Sequence, residues 1–569
     1  MSTGLDHLDA ADILLGGRLS RSALLTAPKL TASRVLKLRI DRTMPFEFVG
    51  RWLPVFCSLW GASVSCTYSD YDAALTGIGG TEPQDSYLLW LDWRIYTGSM
   101  EPKEAAGWLT ERIRKLRQQT ERTIWVNNWP ETSPADERLF SFRTRDSERF
   151  RALNDHLTAA VAGQPGCELI DLRMLSRESE TFFDPRNESA SNYPFSGEAT
   201  LNIARHIGVH LLPSALQPRL KALALDLDDT LYRGVLGEDG ADGVVLTEGH
   251  AALQRLLSRL RESGMLLTIC SRNEEADVRE LFEHRADFPL RWTDFAATAA
   301  NWRSKPDNLN ELARQLNIDP SAILFIDDNP AELLKMAAHQ PDVRLLRAES
   351  EGGQTLDKLA YYPGLYQLRP DGEAASRTTD IKANQQRELM RQGAKDQLSY
   401  LASLKMVVRL HVNERAHAAR LYDMSQKTNQ FNLALRRITE QEALEMMDPG
   451  RYITVTAALS DQLSDSGIIG ALVCRIGDRE ARLVETVFSC RALGRGVESL
   501  VLARTLELLA AREVKWLIID SCEGPRNAPA RAWASSLGQA AGGKYEVKKL
   551  QRVVKKLNDR HPAKVEVVQ

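Results

Sequence analysis

Three apolar runs in the middle of the chain stop abruptly in polar residues. Lys221-Ala222-Leu223-Ala224-Leu225 runs into Asp226, Met265-Leu266-Leu267-Thr268-Ile269-Cys270 into Ser271, and Ala322-Ile323-Leu324-Phe325-Ile326 into Asp327. Runs this short, without polar alternation, read as strands buried on both faces, the pattern of a parallel sheet covered by helices. In open parallel sheets ligands bind beyond the carboxyl ends of the strands. The polar tips are therefore expected to converge on one site, and the fold class of this region is α/β.

The first tip reads Asp226-Leu227-Asp228-Asp229-Thr230-Leu231. Past the strand the chain turns, so two carboxylates two residues apart can divide the work: one attacks and the other serves the proton. Phosphoryl transfer needs those parts and a cation to offset crowded negative charge. Mg²⁺ suits that role, because it takes a few carboxylate oxygens and keeps water and substrate phosphate as further ligands. Additional acids stand at another tip, Asp327-Asp328-Asn329-Pro330. Ser271 offers a hydroxyl and an N–H to phosphate, and Lys305 a fixed positive charge. The bland alternative is a set of surface acids at strand ends.

Taken in order, the D-x-D-x-T string at 226–230, Ser271, Lys305 and the Asp327-Asp328 pair resemble the four motifs of the haloacid dehalogenase (HAD) superfamily. The resemblance implies Asp226 as nucleophile and Asp228 as general acid/base. It implies phosphate contacts from Thr230, Ser271, Arg272 and Lys305, and Mg²⁺ held by Asp226, the Asp228 carbonyl and Asp328 or Asp327. Only 44 residues separate Asp226 from Ser271. That leaves space for a flap at 232–240 and one helix, not for a large cap domain, so another part of the chain is expected to cover the site.

The strings Cys270-Ser271-Arg272-Asn273-Glu274-Glu275 and Phe325-Ile326-Asp327-Asp328-Asn329-Pro330-Ala331-Glu332 look like the FkbH-like branch of that superfamily, tied to polyketide and related pathways. Gln426-Lys427-Thr428-Asn429-Gln430-Phe431-Asn432, Ser464-Asp465-Ser466-Gly467 and Ser489-Cys490-Arg491-Ala492-Leu493-Gly494-Arg495-Gly496-Val497-Glu498 resemble its C-terminal half. The resemblance spans roughly 220–540. It implies loading of a glyceryl unit from 1,3-bisphosphoglycerate onto an acyl carrier protein, with loss of phosphate and through a cysteine thioester. A plain phosphatase of a small metabolite, with a scaffolding third domain, is the alternative. A non-catalytic docking subunit is disfavoured by the intact phosphate motifs.

The last of those strings also has a physical reading. Arg491-x-x-Gly494-x-Gly496 follows a strand and opens a helix, where glycines let the backbone approach a phosphate and the helix N-terminus donates N–H groups. This is similar to the pyrophosphate loop of GNAT-type acyltransferases, and a carrier's phosphopantetheine arm has the same thiol end. Cys490 ends the strand before the loop and is the assigned thioester residue. The competing readings are a buried strand cysteine there, Cys270 beside Ser271 as the alternative nucleophile, and Cys522. The run at 426–432, with Gln426, Thr428, Asn429 and Asn432, either lines the acyl site or caps a helix.

Upstream, strands are expected at 35–40, 86–92, 123–128 and 168–172, with a helix at 105–120. This weakly resembles a degenerate SGNH-hydrolase-like domain. Phe183-Asp184-Pro185-Arg186 and Tyr193-Pro194-Phe195-Ser196-Gly197 stand where such folds place their late catalytic loop. Arg39-Ile40-Asp41-Arg42-Thr43 replaces the nucleophile motif and no histidine occupies the late loop, so a role in docking, covering or dimerisation is expected. A metal pair at His206 and His210 is not expected without nearby acids. The organisation is an N-terminal extension at 1–34, the SGNH-like domain at 35–215, a HAD-type Rossmann-like parallel sheet with minimal cap at 218–368, a linker at 369–386, and a GNAT-like α+β domain at 387–569.

A chain of 569 residues with 43% hydrophobic and 26% charged residues has the bulk for several cores. A net charge of −3 gives no electrostatic case for nucleic acid or an anionic membrane. Seven scattered cysteines without C-x-x-C spacing argue against a disulfide framework. With no signal-like N-terminus and no apolar run of membrane length, a cytoplasmic protein is expected, and a homodimer through the N-terminal domain is one arrangement open to it. The basic stretch at 548–556 reads as a solvated helix face.

Overall fold

The computed structural model describes residues 4–71, 83–131, 141, 146–368, 383–384, 386–387, 390–391, 393–428, 430–489, 492–524, 527–538 and 543–568. Most of the expected linker (369–382), together with Asn429, Cys490 and Arg491, lies outside them. The described residues build three sheets, and the α/β fold class holds for the chain.

The first sheet contains β1 (Arg34–Arg42), β2 (Ala62–Tyr68), β3 (Ser86–Trp90), β4 (Ile124–Asn127) and β5 (Cys167–Ile170). All pair in parallel, in the order β2-β1-β3-β4-β5. Strand β2 was not expected: Ala62-Ser63-Val64-Ser65-Cys66-Thr67-Tyr68 is an edge strand, half polar, and lacks the apolar run of its neighbours. The helix Pro102–Arg117 between β3 and β4 follows from local chemistry. Pro102 stands in its first turn, Glu101 and Glu104 form a reciprocal capping box, and Arg114, Lys115 and Arg117 complement the dipole in its last turn. At the expected junction between the first two domains the chain makes a helical turn, Leu212–Leu216, with Pro213 tolerated in its first turn.

The second sheet contains β6 (Ala222–Leu225), β7 (Leu266–Ser271), β8 (Phe295–Ala300), β9 (Ile323–Asp327) and β10 (Arg344–Arg347). It too is wholly parallel, in the order β10-β9-β6-β7-β8. β6 is the switch point: its neighbours β9 and β7 are reached by connections running to opposite sides. The cap is small. A bridge between Arg233 and Val245 closes a loop that carries the helix Leu236–Gly243. One hydrophobic core runs from the first sheet into the second, from Leu36 and Trp90 to Leu223, Leu267 and Leu346. The N-terminal helix Gly4–Leu15 docks on the second sheet. Leu8 enters the core over β9 and β10, and Asp12 pairs with Arg347 and Lys358.

The third sheet is mixed. β11 (Val407–Val412), β12 (Tyr452–Ser460), β13 (Asp465–Ile476) and β14 (Glu480–Phe488) are antiparallel. β15 (Trp516–Ile519) then lies parallel to β14, after the helix Val497–Ala511. β16 (Lys544–Glu546) and β17 (Lys564–Val568) form the edges. The basic stretch is an amphipathic helix, Val547–Asn558, that buries Val547, Leu550 and Val554 and leaves its lysines outside.

Candidate active site

The tips of β6, β7 and β9 and the start of the helix Lys305–Leu316 meet. The amide of Asp226 donates to the Ile326 carbonyl at 2.9 Å, which continues the β6–β9 ladder into the site. Beyond Asp226 the chain turns, and Asp229 takes a positive φ of 50°. Asp226, Asp327 and Asp328 bring one carboxylate oxygen each to within 4.8 Å of one another. Lys305 is brought in by its helix, which Ser304 caps through the amide of Asp307 and Pro306 opens. Its Nζ stands 2.9 Å from Asp226 Oδ2 and 2.6 Å from Asp327 Oδ2, with the side chain almost wholly buried.

Three carboxylates against one ammonium leave two negative charges in a largely dry pocket. Burial, and after it the Asp226 charge, pushes the Asp328 carboxyl up to about 6. The same two causes hold Asp327 well above the usual carboxylate range, against the pull of Lys305. Burial pulls Lys305 down, but Asp226 and Asp327 outweigh it and keep the lysine charged. A hard, all-oxygen donor set short of two positive charges fits a small divalent cation.

Asp228 stands apart from this triad. Its Oδ1 accepts from the Tyr232 hydroxyl at 2.8 Å and from the Leu236 amide at 3.0 Å, and its Oδ2 from Asn273 Nδ2 at 3.0 Å. Its side chain is therefore fixed by the flap and by the loop after β7, and only its main-chain carbonyl remains for a metal. Asn273 Nδ2 also donates to Ser271 Oγ at 3.1 Å, which ties the Ser271 hydroxyl to the Asp228 carboxylate. Tyr232 and Asn273 were not singled out from the sequence. Both lie in strings that drew attention, but a hydrogen bond to Asp228 is a three-dimensional fact.

The expectation for Cys270 is corrected, and Thr230 and Arg272 take positions of their own. Thr230 is fully buried and its hydroxyl has no hydrogen-bond partner. Arg272 turns to Glu332 at 2.8 Å, on the rim. Cys270 is sealed in the core on β7 with its thiol 3.7 Å from the Lys305 carbonyl, and burial pushes that thiol far up. It cannot serve as a nucleophile where it stands. Cys522 is the exposed cysteine among those described.

In the third domain the glycine turn stands where the sequence put it. Gly494 and Gly496 have φ of 75° and 69°, and Gly496 opens the helix Val497–Ala511, whose N-terminus has no side-chain cap. A cavity of about 460 Å³ lies there, lined by Gly494, Gly496, Ser499, Phe431, Trp533 and His561. The amide-rich run does not join it as a set. Gln426 faces a different cavity of about 580 Å³ between the domains and donates to the Ile438 carbonyl at 2.8 Å. Thr428 ends its helix, and its carbonyl accepts from Arg437 at 3.1 Å. Asn432 is fully buried and caps the Leu435 amide at 2.7 Å. Thr428 thus stands at a helix end and Asn432 holds a loop turn, while their neighbour Phe431 reaches the cavity.

His206 and His210 lie on a π-helical segment, His206–Leu211, and bond to each other at 3.1 Å. No helix among the described residues is long and apolar enough to cross a membrane. No family model matches the sequence, and no curated protein does. Among solved structures, the fold is similar to the N-terminal part of BF1531 from Bacteroides fragilis, which contains a phosphatase domain and was crystallised with Mg. The identity is 18%, the match covers 65% of this chain and 100% of that one, and the TM-score is 0.50. Shorter likenesses are to the ribosomal-protein-S18-alanine N-acetyltransferase of Escherichia coli (18% identity, 24% of this chain and 80% of that one, TM-score 0.20) and to a putative HAD-like phosphatase of Mesorhizobium loti (20%, 27% and 90%, TM-score 0.18). At these identities what is shown is fold: the parallel architecture of the BF1531 fragment.

Proposed function

We propose that the chain is a Mg²⁺-dependent, HAD-type phosphate-handling enzyme that takes a glyceryl unit from 1,3-bisphosphoglycerate and loads it onto the phosphopantetheine thiol of an acyl carrier protein. The observation that carries the phosphate half is the triad Asp226, Asp327 and Asp328, the first two buried and the third half-buried, short of two positive charges beside Lys305. Asp226, the Asp228 carbonyl and Asp328 or Asp327 would hold Mg²⁺, which would offset the charge of the transferring phosphoryl group.

In this reading an Asp226 oxygen attacks the phosphorus of the C3 phosphate. The bond to the substrate oxygen breaks, and Asp228 gives that oxygen its proton. Water then attacks the phosphoaspartate with Asp228 as base, releasing inorganic phosphate. The C1 acyl phosphate loses its phosphate separately, when a protein thiolate attacks the carbonyl. Cys490, outside the described residues, is assigned that thiolate, and the carrier thiol then takes the acyl group from it. The uncapped glycine turn and its cavity support a site for the arm's phosphate.

A plain phosphatase is the second reading. One observation favours it: among the described residues the phosphate site is built wholly from the second domain. Incubation with 1,3-bisphosphoglycerate and a holo-carrier, read by intact mass, separates the two. A glyceryl adduct on the carrier is expected; free phosphate with an unmodified carrier leaves only the phosphatase. A Cys490→Ala variant that still accumulates a glyceryl-enzyme adduct would overturn the cysteine assignment and point to Cys522.

A further inference from the structure

The glycine turn is held from behind by a network that the chemistry above does not use. Between Gly494 and Gly496, both with positive φ and neither with a side chain, Arg495 supplies the side chain by which the turn can be gripped. It is 3% exposed and points inward. Its Nη1 donates to Asp461 Oδ2 at 3.3 Å and its Nη2 to Asn384 Oδ1 at 3.1 Å. A second arginine, Arg387, also 3% exposed, rests on the same two acceptors. Its Nε and Nη2 fork onto Asp461 at 2.8 Å each, and its Nη1 meets Asn384 Oδ1 at 2.6 Å.

The Asp461 carboxylate and the Asn384 amide oxygen thus bridge one pair of guanidinium groups. Asp461 is further set by the amides of Leu463 and Ser464 at 2.8 and 3.1 Å. On the other side His561 Nε2 donates to the Arg495 carbonyl at 2.7 Å, and a Cβ on Gly496 would come within 3.0 Å of that ring. Two like charges in a dry site hold together only through the acid between them, and a forked pair fixes direction as well as distance.

We propose that Arg387, Asp461 and Asn384 are positioning residues for the turn: they fix Arg495, and through it the backbone at 494–496 that faces the carrier arm's phosphate. The inference rests on the arm-binding reading given above. Asn384 and Arg387 belong to the stretch that enters the third domain ahead of the helix Gln397–Ser403, so the clamp also ties that stretch to the turn.

The test uses the full chain and three variants, Arg387→Lys, Asn384→Ala and Asp461→Asn. Hydrogen exchange is read on the peptide 492–499, with β12 and β13 amides as internal control. Affinity is read with 4′-phosphopantetheine. Arg387→Lys and Asn384→Ala are each expected to speed exchange of the turn about tenfold and to weaken 4′-phosphopantetheine about tenfold, the scale of one lost charge-assisted bond. Control amides and phosphate release at the Asp226 site stay unchanged. Asp461→Asn does more, and if it does not fold the other two decide. Turn exchange equal to wild type in both overturns the clamp, whatever the ligand does. A turn that loosens in the variants of a wild type that never binds 4′-phosphopantetheine upholds the clamp and removes the arm reading instead.

Discussion

The first and second sheets are both five-stranded, both parallel, and share one core, yet their strand tips are furnished in opposite ways. At the tips of the first sheet the acids Asp41 and Asp92 each have an arginine partner. Asp41 pairs with Arg39 at 2.9 Å, and Asp92 with Arg94 at 2.7 Å, which also reaches Glu188 at 2.6 Å. Asn127 Oδ1 accepts from the Leu91 amide at 2.7 Å, and its Nδ2 donates to the Leu91 carbonyl at 2.8 Å. Trp90, Trp93, Trp129 and Phe195 are fully buried, and Trp90 and Trp129 both pack on Phe195. At the tips of the second sheet three acids crowd one lysine. Groups satisfied within the fold hold it together; groups left short of charge wait for something else.

The sharpest way to break this comparison is Asp226→Asn. Phosphate release is expected to fall by at least about 10³-fold, since the attacking oxygen is gone. Without Mg²⁺ the variant should nevertheless melt at or above the wild-type temperature, because one charge leaves an under-neutralised cluster. The wild type should gain melting temperature on adding Mg²⁺ and the variant should not. A variant that melts well below wild type in the absence of Mg²⁺ contradicts the charge argument.

Asn127→Ala is the counterpart in the first sheet. It strips both hydrogen bonds from the buried Leu91 peptide and is expected to cost about 2–4 kcal/mol in denaturant unfolding. Phosphate release, measured below the melting range, should not change. A loss of activity without a loss of stability would place the first domain in the chemistry.

The same contrast explains what the sequence discloses. Asp226, Ser271 and Asp327 were legible because each stands at the end of an apolar run, whereas Lys305 was picked out by its charge and its place in the order of motifs. Strands β8 and β10 were not: Phe295-Ala296-Ala297-Thr298-Ala299-Ala300 is mostly alanine, and Arg344-Leu345-Leu346-Arg347 is too short for a period. Position in sequence also says nothing about direction. Cys270 and Ser271 are neighbours on β7, yet the thiol is sealed while the hydroxyl joins the site, as alternation along a strand requires. Gln426 and Phe431 lie five residues apart and face different cavities. The clamp around Arg495 joins residues more than a hundred positions apart, out of reach of any local pattern.

The seam between the two sheets offers an intermediate effect through pH. His210 Nε2 must donate to the Ala360 carbonyl at 2.8 Å, so its Nδ1 accepts from His206 Nδ1–H, and both rings are neutral. Burial, reinforced by Arg205, lowers His210 to about 4 from 6.5. A histidine lowered in the folded state stabilises above its unfolded pKa, and that contribution is lost as pH falls from about 6.5 toward 4. The loss should reach on the order of 3 kcal/mol near pH 4. Melting between pH 7.5 and 5 should fall less steeply in His210→Gln than in wild type; parallel slopes would exclude this pair as the source.

The smallest effect gives the finest comparison, because it sets one lost hydroxyl against another. Tyr232 is buried, and its hydroxyl stays protonated because burial and the nearby Asp228 charge push its pKa far up. It therefore serves Asp228 only as a donor, at 2.8 Å. Tyr193 in the first domain is equally buried, with its hydroxyl 2.9 Å from Thr200 Oγ1. Phenylalanine fills either space. Tyr232→Phe is expected to lower the rate of phosphate release about tenfold, the scale of one aligned bond to a proton-handling group, with little change in melting. Tyr193→Phe is expected to cost about 1 kcal/mol of stability with no change in rate. If Tyr232→Phe lowers stability and spares the rate, Asp228 is held in place without it, and the flap is structural at that contact.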